Sequence, residues 1–190
     1  VAGARSALAV LSKRVNRLLP APRVVRLAAE LSALENGGAV RSINEAARSA
    51  EFVMSDMDAG GDGYDRQGDV VDVSGIRLAN FLRAPVALMN HDQSQPIGRW
   101  TNVRKVGRKL IGVLVFATTR AGQEAWELVK SGVLSAVSVG FNPEGRQEPI
   151  HETGGTYFSA VELLECSLVS VPANAGALLV GRAAGRYNHR

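Results

Sequence analysis

One of the three histidines in this sequence stands where a general base is useful. His91 follows the apolar run Val86-Ala-Leu-Met-Asn90 and precedes the polar stretch Asp92-Gln-Ser-Gln-Pro-Ile-Gly98. A histidine between a strand end and a turn is both held and reachable. Ser138 lies inside Leu134-Ser-Ala-Val-Ser-Val-Gly-Phe141, which is otherwise apolar. Its hydroxyl must either bond a neighbouring backbone group or face a cleft. A serine hydroxyl attacks well only when an adjacent base takes its proton, and imidazole is the usual base. Spacing alone leaves two readings open: a Ser–His catalytic pair, or two satisfied polar residues of a core.

Other chemistries fail on spacing. The acidic run Asp56, Asp58, Asp62, Asp65 and Asp69 invites calcium. Counted from Asp56, however, position five is Gly60 and position twelve is Gln67, so the EF-hand ligand pattern is absent. His151-Glu152 opens like a zinc-protease helix, yet Gly155 stands where the second histidine belongs. There is no Gly-Lys-Ser/Thr phosphate loop. Ala136-Val-Ser-Val-Gly140 lacks the first glycine of a hydrolase nucleophile elbow. The single cysteine, Cys166, excludes an internal disulfide and any multi-cysteine metal site, and it reads as a small buried hydrophobe.

The elements that must position His91 and Ser138 read as strands. Glu51–Met57 and Asp69–Val73 flank a loop dense in glycine and aspartate. A short helix is expected over Gly75–Arg83, then a strand over Val86–Asn90. Ile97–Val106 and Lys109–Ala117 form a hairpin around Gly107-Arg108, and Thr119–Lys130 has helical periodicity. Val133–Phe141 and Tyr157–Val171, long and β-branched, read as central strands. Ahead of them, Leu8, Leu11, Val15, Leu18 and Leu19 recur at helical spacing until Pro20. Val24, Leu27, Leu31 and Leu34 repeat the pattern up to Asn36-Gly37-Gly38. Ser42-Ile-Asn-Glu45 has capping-box spacing and predicts a third helix over 43–49. The expectation is a mainly β (α+β) fold, a small and partly closed barrel or sandwich with covering helices. Its parts are a helical N-terminal arm over 1–50, a domain over 51–181 and a polar tail over 182–190.

The chain has 190 residues, 46% apolar and 21% charged, enough for one sizeable core. No apolar run nears the ~18 residues a membrane helix needs, and no signal-peptide pattern opens it. A soluble, intracellular protein is expected. The net charge of +4 is unevenly placed. Residues 1–50 hold eight basic and three acidic side chains, whereas the rest is nearly balanced. Such an arm is either a solvated helix face or a salt-sensitive contact for an acidic partner.

Four blocks occur in order: His91-Asp92 with Pro96-Ile-Gly98; Ser135-Ala-Val-Ser-Val-Gly-Phe141; Glu165-Cys-Ser-Leu-Val-Ser-Val-Pro-Ala-Asn174; and, ahead of these, Asp65-Arg-Gln-Gly-Asp-Val-Val71 with Asn80-Phe81 and Pro85-Val86. Together they resemble the prohead maturation proteases of tailed bacteriophages, a family similar in fold and task to the herpesvirus capsid-assembly protease. The resemblance covers residues 51–181. It implies a partly closed barrel of the herpesvirus-protease type and a serine endopeptidase that needs no cofactor or metal. It also implies action inside the prohead, in the bacterial host cytoplasm, on scaffold segments or the scaffold-like arm of the major capsid protein. Self-association and self-cleavage go with that role, whereas membranes and specific nucleic acid do not.

By motif, Ser138 matches the nucleophile and His91 the general base. Glu165 matches the carboxylate that orients the imidazole. On a regularly alternating strand Glu165 shares a face with Val161, Leu163, Val169 and Val171, and it needs a partner there: His91, an arginine or water. His151 competes for the third place, because the herpesvirus enzymes use a second histidine. Glu162 is a weaker candidate, and His189 sits in the polar tail. For a developing oxyanion, Arg99 and the backbone N–H groups near Val139 and Gly140 are the available donors.

Overall fold

The computed structural model describes residues 42–180, and the basic stretch before them and the tail after them lie outside it. These residues fall in a compact unit that begins at Ser42. In chain order the strands are β1 (Ile43–Asn44), β2 (Ser49–Asp56), β3 (Val70–Val71), β4 (Ile76–Arg77), β5 (Val86–Met89), β6 (Asp92–Val106) and β7 (Lys109–Phe116). Helix α1 (Arg120–Lys130) follows, then β8 (Ala136–Pro143), β9 (Gln147–Pro149), β10 (Thr156–Phe158) and β11 (Val161–Val169).

The main sheet runs β1-β2-β7-β6-β5-β11, with antiparallel pairing along β2-β7-β6-β5. β5 and β4 lie end to end on one edge of β11, both parallel to it, and β8 runs antiparallel along its other edge. β3, β10 and β9 make a separate three-stranded sheet. Lys109–Phe116 shows why this chain chooses strands: Leu110, Gly112, Leu114 and Phe116 point inward at period two while their neighbours are half exposed. Trp100 anchors the core at 1% exposure. It stands edge-on to Phe52, and its indole N–H donates to the Cys166 carbonyl at 2.9 Å. Helix α1 buries Ala125, Trp126 and Val129 against the sheet, and Thr119 caps it by accepting from the Gly122 N–H.

The eight-stranded sheet is not closed into a barrel. Instead, residues 177–180 lie between β2 and β8 and touch both by single bridges. Val53 N–H donates to Leu178 O and Val137 N–H to Ala177 O, each at 2.9 Å. The expected helix over 43–49 is a hairpin turn. Ile43 pairs with Ala50, and Asn44 rather than Ser42 caps the turn by accepting from Ala47 N–H. The expected helix over Gly75–Arg83 is broken into 3-10 turns at Val73–Gly75 and Phe81–Arg83 with β4 between them. There the local helical pattern loses to the pairing of Ile76-Arg77 with Val161-Glu162. The long strand expected over Tyr157–Val171 is two strands, β10 and β11, in different sheets.

Candidate active site

His91 is the second residue of the two-residue turn that joins β5 to β6, closed by the pair Met89–Asp92. Asn90 and His91 have φ of 50° and 61°, the left-handed pair that a tight type I′ hairpin requires. Asparagine suits that region. Histidine also enters it more readily than most side chains. The turn is held from β11: Asn90 N–H donates to Leu168 O at 3.0 Å and His91 N–H to the Ser167 hydroxyl at 3.1 Å. On its far side Asp92 accepts from the hydroxyl and N–H of Ser94, which draw its carboxyl below the ordinary range.

The imidazole Nδ1 lies 2.6 Å from Glu165 Oε1. The Glu165 side chain is 15% exposed and that of His91 45%, so the pair stands at the rim of the interior. The other carboxylate oxygen, Oε2, accepts from the Ser167 hydroxyl at 2.6 Å. With Nδ1 engaged, Nε2 is the ring nitrogen left to serve a neighbouring hydroxyl.

Glu165 reaches this face because β11 slips register between Leu163 and Glu165. Leu164 is the extra residue, 46% exposed. Before the slip Val161 and Leu163 point into the core. After it Cys166 and Leu168 do, and Glu165 and Ser167 share the opposite face. Regular alternation had grouped Glu165 with Val161 and Leu163, and the bulge overturns that grouping. Burial, followed by the nearby Glu165 charge, pushes the Cys166 thiol well up, in keeping with an inert core residue.

On β8, Ser138 stands directly across from Ser167 and Gly140 from Glu165. Gly140 supplies the space for the carboxylate. A Cβ there would overlap Glu165 Oε1 and lie 3.1 Å from its Cδ. Gly140→Ala should therefore displace Glu165 and destabilise the fold by about 1–3 kcal/mol, the usual cost of overpacking. Urea unfolding of the variant beside the wild type checks this.

Ser138, 7% exposed, and His91 line one cavity of about 200 Å³. β2 contributes Met54 and Ser55, and the segment after β11 contributes Ala173 and Asn174. Val139 and Phe141 complete the β8 side. Because Val137 N–H is given to Ala177, the odd-numbered residues of β8 turn their backbone groups away from β11, and Val139 and Phe141 carry that open edge into the cavity. The remaining wall includes Asp65 and Asp69, whose carboxylates are engaged with backbone. Asp65 accepts from Gln67 and Asp69 N–H groups, and Asp69 from Thr156 N–H. No group of three or more ligating side chains suited to a metal occurs among the described residues.

The other candidates lie elsewhere. His151 is exposed in the turn between β9 and β10, and Glu162 accepts from Asn80 at 2.6 Å. Arg99 is exposed and is not among the residues lining the cavity. His189 lies outside the described residues. Sequence reasoning missed Ser167, and it offered Gly140 as a backbone donor, whereas Gly140 pairs with β11 and gives room to Glu165; both signals were present. Ser167 is two residues from Glu165 on one strand, and a glycine beside a candidate nucleophile marks a close approach.

Among known proteins, the chain is 36% identical over 123 residues to the capsid polyprotein of Pseudomonas phage PAJU2, covering 60% of this chain and 18% of that protein. It is 30% identical over 114 residues to the prohead protease of Escherichia phage T5, covering 58% of this chain and 53% of that protein. The chain thus spans about half the length of the second relative and under a fifth of the first. No solved structure matches it. The family model of the caudovirus prohead serine proteases matches residues 79–185, a span that contains His91, Ser138 and Glu165. That span exceeds half of the sequence, and the chain belongs to the caudovirus prohead serine protease family.

Proposed function

We propose that this chain is the serine endopeptidase of capsid maturation. On this reading it cleaves scaffold segments or the scaffold-like arm of the major capsid protein, and itself, inside the prohead as it assembles in the host cytoplasm. The observation that carries the proposal is the 2.6 Å contact between His91 and Glu165 at the edge of a cavity that Ser138 shares. Glu165 holds the ring with its proton on Nδ1. Nε2 then takes the Ser138 proton as Oγ attacks the scissile carbonyl, and the imidazolium returns it to the leaving amine. A water activated the same way releases the acyl group. The Val139 N–H, directed away from β11 beside the nucleophile, is the donor best placed for the oxyanion. An extended substrate segment would add to the open edge of β8, where Val139 and Phe141 offer backbone groups in sequence-tolerant pairing. The excess of basic side chains before Ser42 supplies an attraction for acidic scaffold segments in a crowded shell.

A fluorophosphonate probe tests this. The wild type should label at one serine and Ser138→Ala should not. Mass spectrometry of co-expressed major capsid protein should show a truncated species only with the wild type. A well-folded wild-type protein that takes no label and leaves the capsid protein intact would favour a non-catalytic assembly module on the same fold.

A further inference from the structure

Ser167 is fully buried, yet its hydroxyl makes two bonds that meet the site from different directions. Its oxygen accepts the His91 backbone N–H at 3.1 Å, and its one proton goes to Glu165 Oε2 at 2.6 Å. A hydroxyl has a single hydrogen, so donating to the carboxylate fixes its rotation and leaves a lone pair for the amide. The two groups it joins both need holding. His91 sits at φ 61°, an uncommon left-handed backbone that the turn must keep in place. Glu165 has a long side chain whose carboxylate must present one oxygen to Nδ1. The Leu164 bulge brings Glu165 and Ser167 to one face, and Ser138 stands opposite Ser167 across the β8–β11 pair.

We propose that Ser167 is a positioning residue, a tie that locks the His91 turn and the Glu165 carboxylate into one rigid unit and aims the imidazole at Ser138. The inference rests on the reading of Ser138 as nucleophile and His91 as base. Ser167 itself touches no reacting atom. Its removal acts through the other two, leaving substrate binding alone.

The test is steady-state cleavage of a peptide by the full chain. Ser167→Ala should lower kcat about 10- to 100-fold, the rate equivalent of a hydrogen bond to a charged group. KM should stay within about twofold. In a Glu165→Gln background the same change should cost clearly less, because the two losses share one pathway. If Ser167→Ala does not fold, Ser167→Cys keeps the size but is a weak donor, and it should show the same kcat-selective loss. A folded variant with kcat within about twofold of wild type overturns the tie. So does a loss that multiplies in full with Glu165→Gln, which marks a general structural role. Ser138→Ala assayed beside them separates the two readings. Activity surviving that change removes the nucleophile, and the tie with it. An inactive Ser138→Ala with an unaffected Ser167→Ala removes the tie alone.

Discussion

Ser138→Ala should lower kcat for a peptide substrate by about 10⁶-fold, the scale seen when a nucleophile that works as one unit with its base is lost. The fold should barely notice. The residue is small and 7% exposed, and alanine keeps its Cβ in the same strand position. Thermal unfolding of the variant should therefore follow that of the wild type closely while cleavage is lost. His91→Ala should cost a similar amount, and the two changes together little more than either alone, because a base without a nucleophile has nothing to deprotonate. Kinetics of the two single variants and the double variant measure this. Retention of a tenth or more of the wild-type rate in Ser138→Ala would move the nucleophile elsewhere.

Glu165→Gln is expected to reduce turnover about 10⁴-fold with the fold intact. The amide has the shape of the carboxylate. Its oxygen can keep the bond from Ser167, which leaves the NH₂ facing Nδ1. A donor there forces Nδ1 to act as an acceptor and puts the ring proton on Nε2, the atom that must be bare to take the Ser138 proton. The loss should therefore fall on kcat. His151→Ala, in its exposed turn beyond the second sheet, should leave turnover within about twofold. The reverse pattern would give His151 the orienting role and reduce Glu165 to a structural acid.

Much of this arrangement could be read from residue order. The hairpin of β6 and β7 and the helix after Thr119 follow from short-range periodicity, and both are present. His91 was readable because polar residues crowd the end of an apolar run. What sequence could not supply was parity. Nothing in Val161-Glu-Leu-Leu-Glu-Cys-Ser-Leu-Val169 marks Leu164 as the residue that drops out of the pairing, since leucine is as apolar outside the ladder as within it. One unpaired residue exchanges the two faces of the strand, so an acid assigned to the core side emerges beside the imidazole. The failed helices at 43–49 and 75–83 have a related origin. Their capping and periodicity lose to strand pairing, with the neighbouring Ala50 in a tight hairpin for Ile43 and with the distant Val161 for Ile76. Closure failed in the same way, because the gap between β2 and β8 is spanned by residues 177–180, a stretch with no strand pattern of its own.

That last segment has a consequence for timing. A ribosome releases the turn bearing His91 and the strand bearing Ser138 well before it releases Asn174 and Val180. Until those residues emerge, β2 and β8 are joined by pairing only the long way round the sheet, and the cavity lacks the wall that Ala173 and Asn174 provide. The cavity is therefore complete only once residues 173–180 are in place. On the proposed reading, the order of synthesis thus leaves the site unfinished until its last wall is made.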